Sequence, residues 1–117
     1  MDDRRKLKRQ HIMFYSRLFD RKTGKLLGYL GNLTIDGVMI ISEEPISTGE
    51  NYKLKMDLPE YIYQKPALHF QADSLWCEND VDPNFFNTGF QLREITQEDK
   101  DIITNFINDY GLVDLDG

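Results

Sequence analysis

The chain has 117 residues, 40% of them apolar and 29% charged, and 14 Lys and Arg against 20 Asp and Glu leave a formal net charge of −6. That length suits one domain with a modest core, the N-terminus is charged rather than signal-like, and no apolar run approaches the roughly 20 residues of a membrane span. The acidic balance argues against duplex DNA as a partner, and a lone cysteine, Cys77, excludes an internal disulfide and disfavours a structural zinc, which fits a reducing cytoplasmic setting.

Charge is unevenly spread. Residues 4–9 read Arg-Arg-Lys-Leu-Lys-Arg, five cations in six positions. Residues 1–25 hold nine Lys and Arg against three Asp, a net +6, while the other five cations face seventeen acids, a net −12. A cationic arm on an anionic body can hold an anion locally without binding polyanions in general. Arg at positions 4, 5 and 9 matters, because a guanidinium fork fits phosphate oxygens or guanine O6 and N7 two bonds at a time, and it stacks on bases. Taken alone, such a stretch is more often a solvated basic tail.

Residues 11–19 are apolar on both parities, with Ile12, Phe14 and Leu18 on one and Met13, Tyr15 and Phe19 on the other, as in a strand covered on both sides. Residues 21–25 form a turn in which Gly24 supplies a positive φ. Residues 26–33 pair back as a second strand, with Gly28 and Gly31 marking close backbone approach or a barrel corner. Asn32-Leu33-Thr34-Ile35-Asp36-Gly37 is a tight turn into the apolar run that starts at Val38, and Asp36-Gly37 is expected to supply its positive φ values. Asn32 and Thr34 share a parity, so an amide and a hydroxyl leave on one face. Those groups could bond a phosphate or a base edge, or could simply cap the turn.

Residues 45–49 form a turn, and residues 51–58 alternate cleanly, with Tyr52, Leu54, Met56 and Leu58 inward. The proline-bounded loop 59–66 is expected to fold back over an open barrel end. Residues 67–78 form a long strand in which Leu68, Phe70 and Ala72 hold one parity and Leu75 and Cys77 the other, so a β-bulge is expected near Asp73 and Ser74. Glu78, Asp80 and Asp82 lack the Gly and terminal Glu of a calcium loop and read as a solvated hairpin turn. Residues 86–93 form the last strand. Thr96 caps a helix whose Ile102, Ile103, Phe106, Ile107 and Tyr110 make one apolar stripe and which Gly111 stops. Residues 112–117 read as an acidic tail. His11 and His69 stand apart from each other and read as structural, and Cys77, beside Trp76, as a small packed hydrophobe. No Ser-His-acid or Cys-His arrangement has a supporting motif, so neither a catalytic nor a metal site is expected.

Arg4-Arg5-x-x-x-Arg9 followed by Asn32-x-Thr34-x-x-Gly37 resembles the signature of the PilZ domain family: an Arg-x-x-x-Arg arm, often with a preceding Arg, then Asp/Asn-x-Ser-x-x-Gly. Each half is weak by itself; both in order, with strand patterns between them, are specific. The resemblance runs from about residue 4 to residue 110, and its visible departure is Thr34 where Ser is usual, an added methyl that bears on affinity. It implies an all-β fold, a six-stranded antiparallel β-barrel with a basic N-terminal arm and a C-terminal helix. The implied single domain, 1–117, divides into arm 1–10, barrel 11–95, helix 96–110 and tail 111–117.

The resemblance also implies a receptor for the bacterial second messenger cyclic di-GMP. Arg5 and Arg9 would grip its guanines and phosphates with Arg4 assisting, Asn32 and Thr34 would meet it from the barrel surface, and Gly37 would keep the turn clear. Charge-assisted hydrogen bonds contribute roughly 1.5–3 kcal/mol each and a micromolar complex needs about 8 kcal/mol, so a few such contacts with base stacking suffice. The expected output is an arm that docks on ligand and alters the surface shown to a protein partner controlling motility, adhesion or exopolysaccharide. Two rivals are a ligand-independent PilZ-like adaptor and a small barrel binding single-stranded nucleic acid. The second needs aromatic platforms interleaved with basic residues, whereas here the basic residues sit in the arm.

Overall fold

The computed structural model describes residues 16–58 and 66–110. Six strands and one helix follow in order: β1 (Arg17–Asp20), β2 (Leu26–Leu33), β3 (Gly37–Ser42), β4 (Asn51–Asp57), β5 (Ala67–Asn79), β6 (Phe86–Arg93) and α1 (Gln97–Tyr110). All pairings are antiparallel, and the strands close in the order β1-β2-β3-β6-β5-β4, with β4 returning to β1. Closure leaves these six strands no open edge, which is how a small sheet avoids pairing with other chains. No helix among the described residues is long and apolar enough to cross a membrane.

Alternation in the sequence becomes an inside and an outside. Leu54 and Met56 on β4 are fully buried and Leu58 nearly so, while Asn51 and Lys53 are exposed. Leu18, Leu30, Ile40, Leu68, Ala72 and Phe90 complete the barrel interior, and α1 adds Ile103 and Phe106 to the same cluster. Burying a side chain of Leu or Ile size contributes roughly 1.5–3 kcal/mol, so this cluster dominates the favourable side of folding. Phe19, on the outward side of β1, is half-buried beneath two cations, Lys55 Nζ 4.8 Å and Arg17 Cζ 5.5 Å from its ring centroid.

Turn chemistry sets the connections. Gly24 has φ +78°, its N–H donates to the Asp20 carbonyl (2.7 Å), and the Asp20 carboxylate accepts from Lys22 N (2.8 Å). In the β5–β6 turn the carboxylates are used locally: Asp82 accepts from Asn84 N (3.0 Å), and Asp80 accepts from Asn87 Nδ2 (3.0 Å) and Asp82 N (3.3 Å). These are side chains capping a bend. Thr96 caps α1, its hydroxyl accepting from Asp99 N (3.1 Å).

The bulge expected in β5 near Asp73 and Ser74 is present, with Leu75 as the extra residue between Ser74 opposite Phe90 and Trp76 opposite Gly89. Two finer expectations need correction, the inward Leu75 and the positive φ values at Asp36 and Gly37. Ser74 keeps the inward place that parity would reserve for an apolar residue; its hydroxyl donates to the Ser47 carbonyl (2.8 Å) and accepts from Glu50 N (3.1 Å), so it is buried without loss. Leu75 is pushed outward instead, 56% exposed. In the 34–37 turn neither Asp36 nor Gly37 has a positive φ; among the described residues only Gly24, Gly49 and Glu94 do. The expected strand at 11–19 is described only from Ser16, and β1 ends at Asp20. Residues 11–15, the loop at 59–65 and the helix stop at Gly111 lie outside the described residues.

Candidate functional site

The end of β2 prepares a shoulder on the barrel. The pairing of β2 with β3 slips between Leu30 and Asn32, leaving Gly31 as the extra residue. Bulges of this kind re-aim the side chains that follow. Asn32 is exposed, and its Oδ1 accepts from Leu33 N (2.9 Å) while its Nδ2 makes no hydrogen bond among the described residues. Thr34 holds the turn together. Its N–H donates to the Gly37 carbonyl (2.9 Å), and its Oγ1 accepts from Gly37 N (3.0 Å) and Asp36 N (3.3 Å). A hydroxyl thus does the ordering that positive φ values were expected to do. Gly37 is needed for another reason: a Cβ there would stand 2.8 Å from the Phe90 carbonyl oxygen on β6.

Across from this turn stands the β5 bulge. Asn32, Thr34 and Gly37 line one side of a cleft of about 180 Å³, with Met39 on its floor, and Leu75 and Trp76 line the other side. Trp76 is 43% exposed and lies over Gly89; a Cβ on Gly89 would enter its ring. The glycine lets an indole lie flat against β6 with its other face open. Sequence reasoning passed over Leu75 and Trp76. A signal was present in the phase change of β5, but parity alone turned Leu75 inward and left Trp76 unassigned.

Among the described residues no charged side chain lines the cleft. Those that do offer an aromatic face, an amide donor and a hydroxyl. Pockets for drug-sized ligands occupy roughly 300–1,000 Å³, so a space of this size seats one planar ring and leaves the rest of a larger ligand outside. Among the described residues no cluster of His, Cys, Asp or Glu is placed to hold a metal ion. Asn32, Thr34 and Gly37 are thus together, whereas Arg4, Arg5 and Arg9 lie outside the described residues. The described chain begins beside this shoulder, for the Ser16 carbonyl accepts from Leu30 N (2.9 Å), two positions before Asn32.

Comparison with known proteins follows the same lines. Inhibitor of motility (MotI/DgrA) of Bacillus subtilis is similar with a TM-score of 0.69 at 15% identity, over 82% of this chain and 46% of that one. The PilZ domain of YcgR from Escherichia coli with c-di-GMP has a TM-score of 0.65 at 12% identity, over 82% of this chain and 80% of that one. YcgR from Escherichia coli in complex with c-di-GMP has a TM-score of 0.61 at 13% identity, over 81% of this chain and 40% of that one. The chain therefore spans less than half the length of MotI and of the longer YcgR structure. At such identities the likeness is one of fold. No curated protein sequence matches. The PilZ domain family model, by contrast, matches residues 3–109, and with the closed barrel and its shoulder this places the chain in the PilZ domain family.

Proposed function

We propose that this chain is a receptor for cyclic di-GMP in which the basic arm closes over a nucleotide seated on the barrel shoulder. The observation that carries the reading is the cleft itself: Asn32, Thr34 and Gly37 face an open indole across a space sized for one ring, with no charged side chain among its described lining residues. One guanine stacks on Trp76, and the second base and both phosphates remain outside the cleft. There they meet Arg5 and Arg9, with Arg4 assisting. Arg9 precedes Ser16 by seven residues, a reach of up to about 25 Å at the 3.3–3.6 Å per residue of extended chain, and Ser16 pairs beside Asn32. A cleft without charge among its described lining residues suits this division, because a dianion needs cations and the body around it is acidic.

The domain is taken as one unit, residues 1–117, and the output as the changed surface of the closed arm, read by a protein partner in the control of motility, adhesion or exopolysaccharide. That a structure of the PilZ domain of YcgR contains c-di-GMP supports the choice of ligand. Because Trp76 is the only tryptophan in the chain, its emission reports on the cleft directly. Calorimetry and Trp76 emission should both respond to cyclic di-GMP, and Arg5→Ala or Arg9→Ala should weaken binding at least about tenfold, on the order of one charge-assisted contact. The absence of both heat and an emission change at high nucleotide concentration would refute the receptor. Arginine variants that bind like the parent would refute the assignment of the arm.

A further inference from the structure

The far end of the β2–β3 ribbon carries a second and larger concavity. About 540 Å³ of open groove lies between the β1–β2 hairpin, the end of β3, the segment 43–46 and Phe85. Its floor is apolar and accessible: Leu26 and Tyr29 are 43% and 44% exposed, with Ile41 alongside. Gly28 keeps that floor low, since a Cβ on it would run into the Ile41 carbonyl. The rim is acidic. Asp20, Glu43 and Glu44 line it, Lys25 is the one cation among the described lining residues, and the exposed Glu43 and Glu44 carboxylates form no ion pair among the described residues. Outside the groove, burial first and then the charges of Glu50 and Asp20 raise the pKa of the Tyr52 hydroxyl.

From this we infer that the groove docks a cationic, amphipathic segment of a partner protein. An exposed tyrosine on an apolar floor inside a charged rim is the arrangement in which an aromatic anchor contributes most to binding and the rim selects the partner. A helix with one apolar face and a Lys- or Arg-rich border matches both parts. A second copy of the chain fits poorly, because a two-fold contact through this patch would set Glu43 and Glu44 against their own counterparts. The groove shares no lining residue with the Trp76 cleft, so the inference stands apart from the nucleotide reading.

The test uses the full chain, isotope-labelled for NMR, titrated with a synthetic helical peptide of about four turns whose Leu residues line one face and whose Lys residues line the other. The expected result is amide shifts confined to Leu26, Tyr29, Glu43, Glu44 and their neighbours, with Asn32 and Trp76 unmoved. Tyr29→Ala, and separately the pair Glu43→Lys with Glu44→Lys, should each lower affinity at least about tenfold, the scale of an interface anchor. These positions are exposed, so the fold should hold, which the unshifted spectrum of the remaining residues verifies. The inference is overturned if a scrambled Leu/Lys peptide binds equally well, if shifts scatter over the acidic body, or if the charge reversal leaves affinity unchanged. It is equally overturned if the peptide does not bind, and a dimer in sedimentation that Tyr29→Ala dissolves would then assign the groove to a second copy.

Discussion

Gly89 and Gly37 show how much one missing side chain can decide. Neither has a positive φ, so backbone freedom is not what either supplies. Gly37 gives β3 room against the Phe90 carbonyl, and Gly89 gives the Trp76 ring a bed on β6. The two differ in what a methyl group would displace. At Gly37 it meets backbone, which cannot move without disturbing the β3–β6 ladder. At Gly89 it meets an indole that is partly exposed and free to tilt. Gly89→Ala is therefore expected to leave the barrel folded while lifting Trp76 off β6. A base stacked on an aromatic side chain is worth roughly 1–3 kcal/mol, so cyclic di-GMP affinity should fall about tenfold or more. Trp76 emission and calorimetry on one variant check both halves; unchanged affinity with a shifted emission would remove Trp76 from the site.

Among elements, α1 is held both by its buried face and by its first turn. Thr96 accepts from Asp99 N and its carbonyl takes the N–H of Lys100, while Glu98 and Asp99 sit at the positive end of the helix dipole. Thr96→Ala should cost about 1 kcal/mol, seen as a lower denaturation midpoint at unchanged slope, because only the cap is lost and Ile103 and Phe106 stay buried. This cap was legible in the sequence because it is local: a Thr, an acid three residues on, then an apolar stripe. β4 was legible for the same reason, its alternation surviving as Leu54, Met56 and Leu58 inside. β5 was legible as a strand with a bulge near Ser74, but the outward Leu75 was not. That Ser74 keeps the inward place depends on its finding partners at Ser47 and Glu50, more than twenty residues away, and no spacing rule carries that information. The shoulder divides in the same manner. Asn32, Thr34 and Gly37 could be picked out by pattern, whereas their meeting with Trp76 required the barrel to close β3 against β6 and β6 against β5.

For the whole molecule, charge and shape together set a condition on binding. Among the described residues no charge lines the cleft, the chain after residue 25 carries a net −12, and the +6 of residues 1–25 is concentrated in residues 4–9. A doubly charged nucleotide is thus attracted to the arm and repelled by the body. The net attraction acts between exposed charges, which salt screens over a Debye length of about 10 Å at 0.1 M and about 3 Å at 1 M. Binding to the folded state alone adds about 2.7 kcal/mol of apparent stability at a hundredfold excess over Kd, and for a domain of this size that is a rise in Tm of about 10 °C. At one fixed nucleotide concentration the rise should shrink steadily as salt is raised from low to molar levels, while the unliganded Tm changes far less. Arg5→Ala with Arg9→Ala should flatten the salt dependence as well as the shift, because it removes the charges that salt acts upon. A nucleotide-induced rise that is large yet indifferent to salt would mean that stacking and neutral hydrogen bonds at the cleft hold the ligand, and the arm would lose its place in the mechanism.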